Sequence, residues 1–333
     1  MLTRRQFHQH ALSLGALAIG FPTLAQAQGA DYPNRPIRIV VPFAAGGGPD
    51  VLTRRMAMKM AELLPGKYPM VVENVVGAGG ILAAQQIAQR APDGYNLLLG
   101  ASSHVVQKAM EPTVAFDPLK DFTPISRTVF TPSILVVSAT SPYRNVEDIV
   151  AAAKKEPGKL NYASGGIGSA AHLVAAAVVL QAGIDVVHVP YRGSVEIVPS
   201  ILSGATQFAV PIASTAIPLI QAGQVRALAV SSARRMPSLP DVPTLAELFR
   251  TPDLALDAWF GLWAPARTPA GIVDTLFKAV TETYQDPPLR AGSEAVGAIV
   301  AVSRAPAEFA EFMQAETVKL QKLVKGANLS ASK

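Results

Sequence analysis

The chain has 333 residues, of which 50% are hydrophobic and 16% charged, enough apolar material for one or two domains with a sizeable core. Its net charge is +5, or +3 without residues 1–27, and no basic run is interleaved with aromatic residues, which argues against nucleic-acid binding. With no cysteine, the chain can form no disulfide, thiolate metal site or cysteine nucleophile.

The N-terminus has the features of an export signal. The twin arginine Arg4-Arg5 precedes an apolar stretch over residues 11–25, and residues 25–27 match a small-x-small cleavage site. We therefore predict a signal peptide over residues 1–27 and a periplasmic location for the mature chain. The twin arginine favours the Tat route, and the general Sec route is the alternative.

The first structural unit of the mature chain is a strand, a glycine turn and a helix. Residues 37–41 predict a buried strand, 46–48 are three glycines, and Pro49 and Asp50 are typical of a helix start. The first N–H groups of a helix have no partner within it, so such a turn suits an anion, and glycine allows the anion to approach closely. For Asp50 we favour a structural role at the helix start, since it would repel a bound anion.

A second unit of the same kind lies far downstream. Residues 160–164 predict a strand, 165–168 form a glycine-rich turn, and a helix runs from about Ser169 to Gly183. Two such units in separate halves of the chain predict two helix N-termini that face one small anion across a cleft.

Strands and helices alternate along the rest of the chain, which predicts largely parallel sheets covered by helices. Further strands are predicted at residues 70–75, 96–100, 134–137, 186–191, 206–210, 225–230 and 259–264. Ligands of open α/β sheets lie beyond the carboxyl ends of strands. The segments in that position are small, neutral and rich in hydroxyl groups: 43–48, 77–80, 101–104, 164–169, 191–194 and 211–214.

Six stretches of the sequence resemble one known family. They are 42–47 with Asp50; 116–118 with 120–124; 162–164 with 166, 168–169 and 172–173; 189–193; 226–230 with 239–244; and 259–261 with 265 and 268–269. Together they resemble the periplasmic solute-binding proteins of tripartite tricarboxylate transporters, often called Bug proteins. The resemblance extends over about residues 32–323.

The resemblance implies a two-lobed α/β fold of the type II periplasmic-binding-protein kind, a Venus flytrap in which each lobe is a mostly parallel sheet flanked by helices. Lobe one is expected over residues 31–130 and 258–333, and lobe two over 131–257. The implied function is capture of a small carboxylate in the cleft by a monomer, without a cofactor or metal, and delivery to membrane permease subunits. A sensor that presents the carboxylate to a sensor kinase is the alternative.

The resemblance also implies that two loops, near residues 43–47 and 164–169, hold one carboxylate of the ligand. Together with the segments at the strand ends, it gives a set of ligand-binding candidates. These are Phe43, Ala44, Ala45, Gly46, Gly47, Ser102, Ser164, Gly166, Ile167, Gly168, Ser169, His172, Arg192 and Pro211.

Some candidates have competing interpretations. His172 is either a ligand contact or a buried, hydrogen-bonded histidine, and Arg192 either pairs with a second carboxylate or lies in solvent. The chain also departs from the family, which usually has two acids where Gln207 and Pro211 stand, so the contacts at the far end of the ligand stay open. A hydrolase that uses Ser169 and His172 is the enzymatic alternative, but no acid is evident to orient the histidine.

Overall fold

A computed structural model of the protein describes residues 32–111, 113–191, 193–326 and 329, so the predicted signal peptide lies outside the described residues. The strands are β1 (Ile37–Val41), β2 (Met70–Asn74), β3 (Asn96–Ala101), β4 (Phe122–Thr131), β5 (Ile134–Ser138), β6 (Asn161–Ser164), β7 (Val187–Pro190), β8 (Phe208–Ala209), β9 (Val225–Val230), β10 (Ala258–Pro265) and β11 (Ile299–Val300). The helices are α1 (Gly48–Leu63), α2 (Ile81–Ala88), α3 (Ser102–Met110), α4 (Val146–Lys155), α5 (Ala170–Ala182), α6 (Ser194–Leu202), α7 (Ala213–Gln221), α8 (Leu245–Phe249), α9 (Ala270–Thr283), α10 (Pro287–Glu294) and α11 (Pro306–Gly326).

The strands form two sheets, each flanked by helices. One sheet has six strands in the order β11-β4-β10-β3-β1-β2, and the other has five in the order β7-β6-β8-β5-β9. We call the parts built on these sheets the first and the second lobe. The predicted two-lobed α/β fold is therefore confirmed.

Both sheets are mixed rather than mostly parallel. Strand β1 is parallel to β2 and β3, and β6 is parallel to β7 and β8. Strand β10 is antiparallel to β3 and β4, and β5 is antiparallel to β8 and β9. The antiparallel pairs arise because the chain leaves the first sheet along β4, enters the second along β5, and returns to the first along β10.

The returning strand β10 passes through the densest part of the first lobe. Trp259 and Trp263 are both fully buried on it. Trp259 packs edge-on against Phe309 and Phe312 of α11, and its Nε1 donates to Glu316 Oε2 at 3.3 Å. These contacts fix strand β10 in the first lobe. A separate apolar cluster around Tyr162 and Phe208 forms the core of the second lobe.

Four short elements, α3, α8, α10 and β11, are absent from the sequence-based prediction. Helix α8 begins with a capping box, in which Glu247 N–H donates to Thr244 Oγ1 at 2.9 Å and Thr244 N–H donates to Glu247 Oε2 at 3.2 Å. Asp286 caps α10 by accepting from Leu289 N–H at 3.1 Å. Elements this short have too few residues to show a hydrophobic period. Within the described ranges, no helix is long and apolar enough to span a membrane.

Candidate functional site

A cavity of about 50 Å³ lies where the two lobes meet. The first lobe contributes residues of the β1–α1 loop, of α3 and of β10, and the second lobe contributes the first residues of three helices. The lining residues are Phe43, Pro49, Ala101, Ser102, Ser103, Gly165, Ser169, Ala170, Ala171, Gly193, Ile197, Pro211, Ile212, Ala258 and Phe260. None of these described residues carries a charged side chain.

Five helices begin at this cavity. Pro49, Ser102 and Ala170 lie in the first turns of α1, α3 and α5, and Gly193 and Ile212 are the N-cap residues of α6 and α7. A helix N-terminus carries about half a positive elementary charge from its aligned peptide dipoles. The convergence of five of them on an uncharged cavity gives it a positive potential, which suits a small anion.

The hydrogen-bond donors at the cavity are mainly backbone N–H groups of α3 and α5. Ser102 and Ser103 are the first two residues of α3, and Ala170 and Ala171 are the first two of α5, so none of the four N–H groups has a partner within its helix. The Ser169 hydroxyl accepts from His172 N–H at 3.3 Å, which leaves its hydrogen to donate.

One side-chain hydroxyl at the cavity has no partner at all among the described residues. Ser103 is 3% exposed, and its Oγ is buried without a hydrogen bond. A buried polar group without a partner costs free energy, so an acceptor at this position would be stabilising.

The β1–α1 loop is closed on itself rather than open to the cavity. The Gly46 N–H donates to Asp50 Oδ2 at 2.9 Å, and the Gly47 N–H donates to the Ala44 carbonyl at 3.3 Å. The structure therefore does not bring Ala44, Ala45, Gly46 and Gly47 to the cavity, whereas Phe43 lines it.

Asp50 holds this loop, as the structural interpretation predicts. It is 2% exposed, and its carboxylate also accepts from Arg54 Nε at 3.0 Å and from Asn74 Nδ2 at 2.9 Å. Burial acts to raise the pKa of Asp50, but the hydrogen bonds from Arg54, Gly46 and Asn74 outweigh it and lower the pKa. Asp50 is therefore a carboxylate at neutral pH.

The β6–α5 loop is also held by its own side chains. The Gly166 N–H lies 3.2 Å from Ser164 Oγ, and the Gly168 N–H donates to His172 Nδ1 at 3.1 Å. Ser164, Gly168 and His172 therefore frame the loop and do not line the cavity. Gly166 and Ile167 line a second space between the lobes, a cleft of about 640 Å³ that shares Gly165 with the cavity.

Three stacked aromatic rings pack next to this loop. Ser164 Oγ is 2.6 Å from His188 Nε2, His188 stacks on His172 with ring centroids 4.2 Å apart, and Tyr162 stacks on the other face of His188 at 4.8 Å. Burial lowers the pKa of His172 and of His188 to about 4, and their proximity adds to the effect at His172. Both rings are neutral at pH 7, as the hydrogen bond from Gly168 to His172 requires.

Acid should destabilise the protein between about pH 6.5 and 4. Burial lowers the pKa of His104 from 6.5 to about 4. This histidine takes up a proton on unfolding, so it makes stability rise with pH by up to about 1.4 kcal/mol per pH unit in that window. His172 and His188 act in the same direction, and Asp257, whose pKa burial raises to about 6, opposes them.

The measurement is urea unfolding at pH 7, 6 and 5 of the wild type and of His104→Gln. His104 is the third residue of α3, and its Nδ1 accepts from the Ala101 N–H at 3.0 Å. Glutamine at this position can accept the same hydrogen bond, as in a capping box, but does not titrate. The free energy of unfolding of the variant should rise less steeply with pH than that of the wild type, by the contribution of about one proton. Equal slopes for the two proteins would contradict the prediction.

The remaining candidates divide between the cavity and the undescribed part of the chain. Ser102, Ser169 and Pro211 line the cavity together with Phe43. Arg192 lies outside the described residues. Sequence reasoning missed Ala170 and Ala171, because alanine has no functional group and the donors here belong to the backbone.

The two lobes touch each other around the cavity. A Cβ placed on Gly48 of α1 would lie 2.0 Å from Oγ of Ser214 in α7, and one placed on Gly193 would lie 3.5 Å from Cβ of Ala44. A Cβ on Gly79 would lie 2.7 Å from the Ile167 carbonyl oxygen. We call these three pairs the closing contacts, because each joins a residue of the first lobe to one of the second.

The geometry does not favour the hydrolase alternative. Nδ1 of His172 is engaged by the Gly168 N–H, and Ser169 Oγ contacts the backbone N–H of His172. The low pKa of His172, which burial causes, also makes it a poor general base at neutral pH.

Comparison with known proteins places the chain among solute receptors. A model of the tripartite tricarboxylate transporter family receptors matches residues 52–329. A UPF0065 protein from the tcbD–tcbE intergenic region of Pseudomonas sp. strain P51 is 34% identical over 321 residues, covering 96% of this chain and 95% of its own length.

Two solved structures of binding proteins have the same fold as this chain. The periplasmic binding protein BugD has a TM-score of 0.85 at 30% identity, over 90% of this chain and 99% of its own. MatC from Rhodopseudomonas palustris, solved with bound malate, has a TM-score of 0.83 at 31% identity, over 88% of this chain and 100% of its own. The resemblance found in the sequence motifs is therefore confirmed, and the chain belongs to the tripartite tricarboxylate transporter receptor family.

Proposed function

We propose that this protein is a periplasmic receptor that captures a small carboxylate in the cavity between its lobes and delivers it to membrane permease subunits. The observation that carries the proposal is the convergence of five helix N-termini on a cavity whose described lining has no charged side chain. Membership of a receptor family and the malate bound to MatC support it. The protein acts as a monomer, needs no cofactor or metal, and is not an enzyme.

The proposed site has two parts. The ligand contacts are Phe43, Ser102, Ser169 and Pro211 from the predicted set, with Ser103, Ala170 and Ala171 added. The frame that positions them consists of residues 44–47, Ser164, 166–168 and His172. Arg192, which lies outside the described residues, is kept from the predicted set as the partner that a ligand with a second anionic group would require.

The proposed lobes are residues 31–130 with 258–333, and residues 131–257. The signal peptide is residues 1–27, with export by Tat or Sec. In the proposed cycle the lobes open to admit the ligand and close around it. Closure requires that the ligand bind the closed state better than the open one.

The proposal predicts that binding depends on the carboxylate. Thermal unfolding of the mature protein is measured with a panel of mono-, di- and tricarboxylates, and then with the methyl ester of each acid that stabilises it. A ligand at about 100 times its Kd adds about 2.7 kcal/mol of stability, which raises the melting temperature measurably.

Methylation removes the anion and leaves the protein unchanged, so it is the matched control. Each ester should bind at least tenfold more weakly than its acid, because the loss of a charge-assisted hydrogen bond costs about 1.5–3 kcal/mol. Esters that stabilise the protein as well as the acids do would rule out an anion site.

A further inference from the structure

The described lining of the cavity combines backbone donors with hydrocarbon side chains. The donors lie in the first turns of α3 and α5. Phe43 and Phe260 meet edge to face with centroids 5.7 Å apart, and Ile197 is 1% exposed. Pro211 and Ile212 complete this apolar wall.

The described lining of the cavity offers no partner to a second charged group. Lys319 lines an adjoining space that shares Ser102 with the cavity, but it is ion-paired with Glu316 at 3.4 Å. A second carboxylate would require a cation, and an ammonium group would require an acid or several acceptors. Among the described lining residues the only polar side chains are Ser102, Ser103 and Ser169, which are hydroxyl groups at or next to the starts of α3 and α5. Burying a charge without a partner is strongly unfavourable, so the cavity discriminates against ligands with a second charge.

The volume limits the length of the ligand. One water molecule needs about 10–15 Å³ of such a cavity. The 50 Å³ between the lobes therefore holds about three to five water-sized groups. Because bonded atoms lie closer together than neighbouring waters, this is room for a carboxylate and a short alkyl chain.

We infer that the ligand is a short-chain aliphatic monocarboxylate of about two to four carbons. Its carboxylate accepts from the N–H groups of Ser102, Ser103, Ala170 and Ala171 and from the Ser103 hydroxyl. Its alkyl chain packs against Phe43, Phe260 and Ile197. The inference rests on the proposed carboxylate site and names its substrate class.

The test is isothermal titration of the mature protein with two matched pairs of compounds. Butyrate and succinate have the same number of carbons and differ by one carboxylate. Propionate and β-alanine differ by one ammonium group. Butyrate and propionate should each bind at least tenfold more tightly than their partners, and hexanoate should bind more weakly than butyrate.

A variant tests the apolar wall itself. Ile197→Val removes one carbon from the wall and leaves the donors in place. The preferred chain should lengthen by about one carbon, with a change of about tenfold in the ratio of affinities for neighbouring chain lengths. An unchanged ratio would mean that Ile197 does not face the ligand chain, which overturns the inference.

The outcomes separate this inference from the proposed function. Tighter binding of succinate than of butyrate overturns the monocarboxylate class and indicates that a cation, with Arg192 the nearest in sequence, reaches the cavity. Tighter binding of β-alanine than of propionate overturns it in favour of zwitterionic ligands. In both cases the carboxylate receptor stands. If no acid binds better than its methyl ester, the proposed function itself fails.

Discussion

Replacing Gly48 with alanine should abolish ligand binding while both lobes stay folded. The new Cβ would lie 2.0 Å from Oγ and 2.6 Å from Cβ of Ser214 across the closing contact. Real Cβ atoms do not approach so closely, so the lobes must stay apart. The φ of Gly48 is not in the left-handed region, so alanine adds no backbone strain in α1. Titration with the best acid of the panel should show a loss of at least a hundredfold in affinity.

Variants of Ser214 provide the controls for this experiment. In the Gly48→Ala background, Ser214→Ala removes only Oγ and leaves the Cβ in collision, so binding should stay lost. Ser214→Gly removes both atoms and leaves the nearest remaining atom of that residue, its carbonyl carbon, at 3.0 Å, so binding should return in part. Because Ser214 Oγ has no hydrogen-bond partner among the described residues, neither change breaks a bond. Equal binding by all three variants would show that the closing contact does not control closure.

Ala170→Pro should weaken ligand binding by about ten- to hundredfold, which corresponds to about 1.5–3 kcal/mol for one charge-assisted hydrogen bond. Ala170 is the first residue of α5, where proline is well tolerated. The preceding Ser169 has φ −66° and ψ 159°, which a following proline also allows. The change therefore removes one N–H donor from the cavity and leaves the helix intact.

Ala170→Gly is the matched control, because it alters the side chain at the same position and keeps the N–H. It should bind within a few-fold of the wild type, and circular dichroism should show equal helix content in both variants. Retained affinity in a folded Ala170→Pro protein would mean that the carboxylate does not contact the start of α5.

Local patterns predict much of the fold. The β-branched strand, the glycine turn and the proline at the start of α1 are local signals. The second unit, at β6 and α5, also has a strand followed by a glycine turn. The direction of β10 is not a local property. It pairs antiparallel with both β3 and β4 because the chain re-enters the first sheet after a long excursion through the second. The residues of a strand do not reveal that path, so its direction could not be predicted from them.

The hydrogen-bond partners of individual loop N–H groups could not be predicted from the sequence. Residues 46 and 47 were expected to offer N–H groups to the ligand, yet Asp50 and Ala44 accept from them. A carboxylate four residues downstream can reach back to a loop only in a particular backbone conformation, which the sequence does not reveal. Ser102 and Ser169, which line the cavity, are in the predicted set because hydroxyl groups are visible in a sequence. The N–H groups of Ala170 and Ala171 belong to the backbone, which every residue has, so the sequence does not single them out.

The closing contacts also bear on what holds the two lobes together. They join small residues and backbone, and among the described residues no hydrogen bond joins Gly48 to Ser214, Ala44 to Gly193, or Gly79 to Ile167. These three pairs therefore contribute no hydrogen bond to the closed arrangement. Under the proposed function, the bound ligand holds the lobes together through its own contacts to both. Release of that ligand then leaves none of these three pairs with a hydrogen bond that would hold the lobes together.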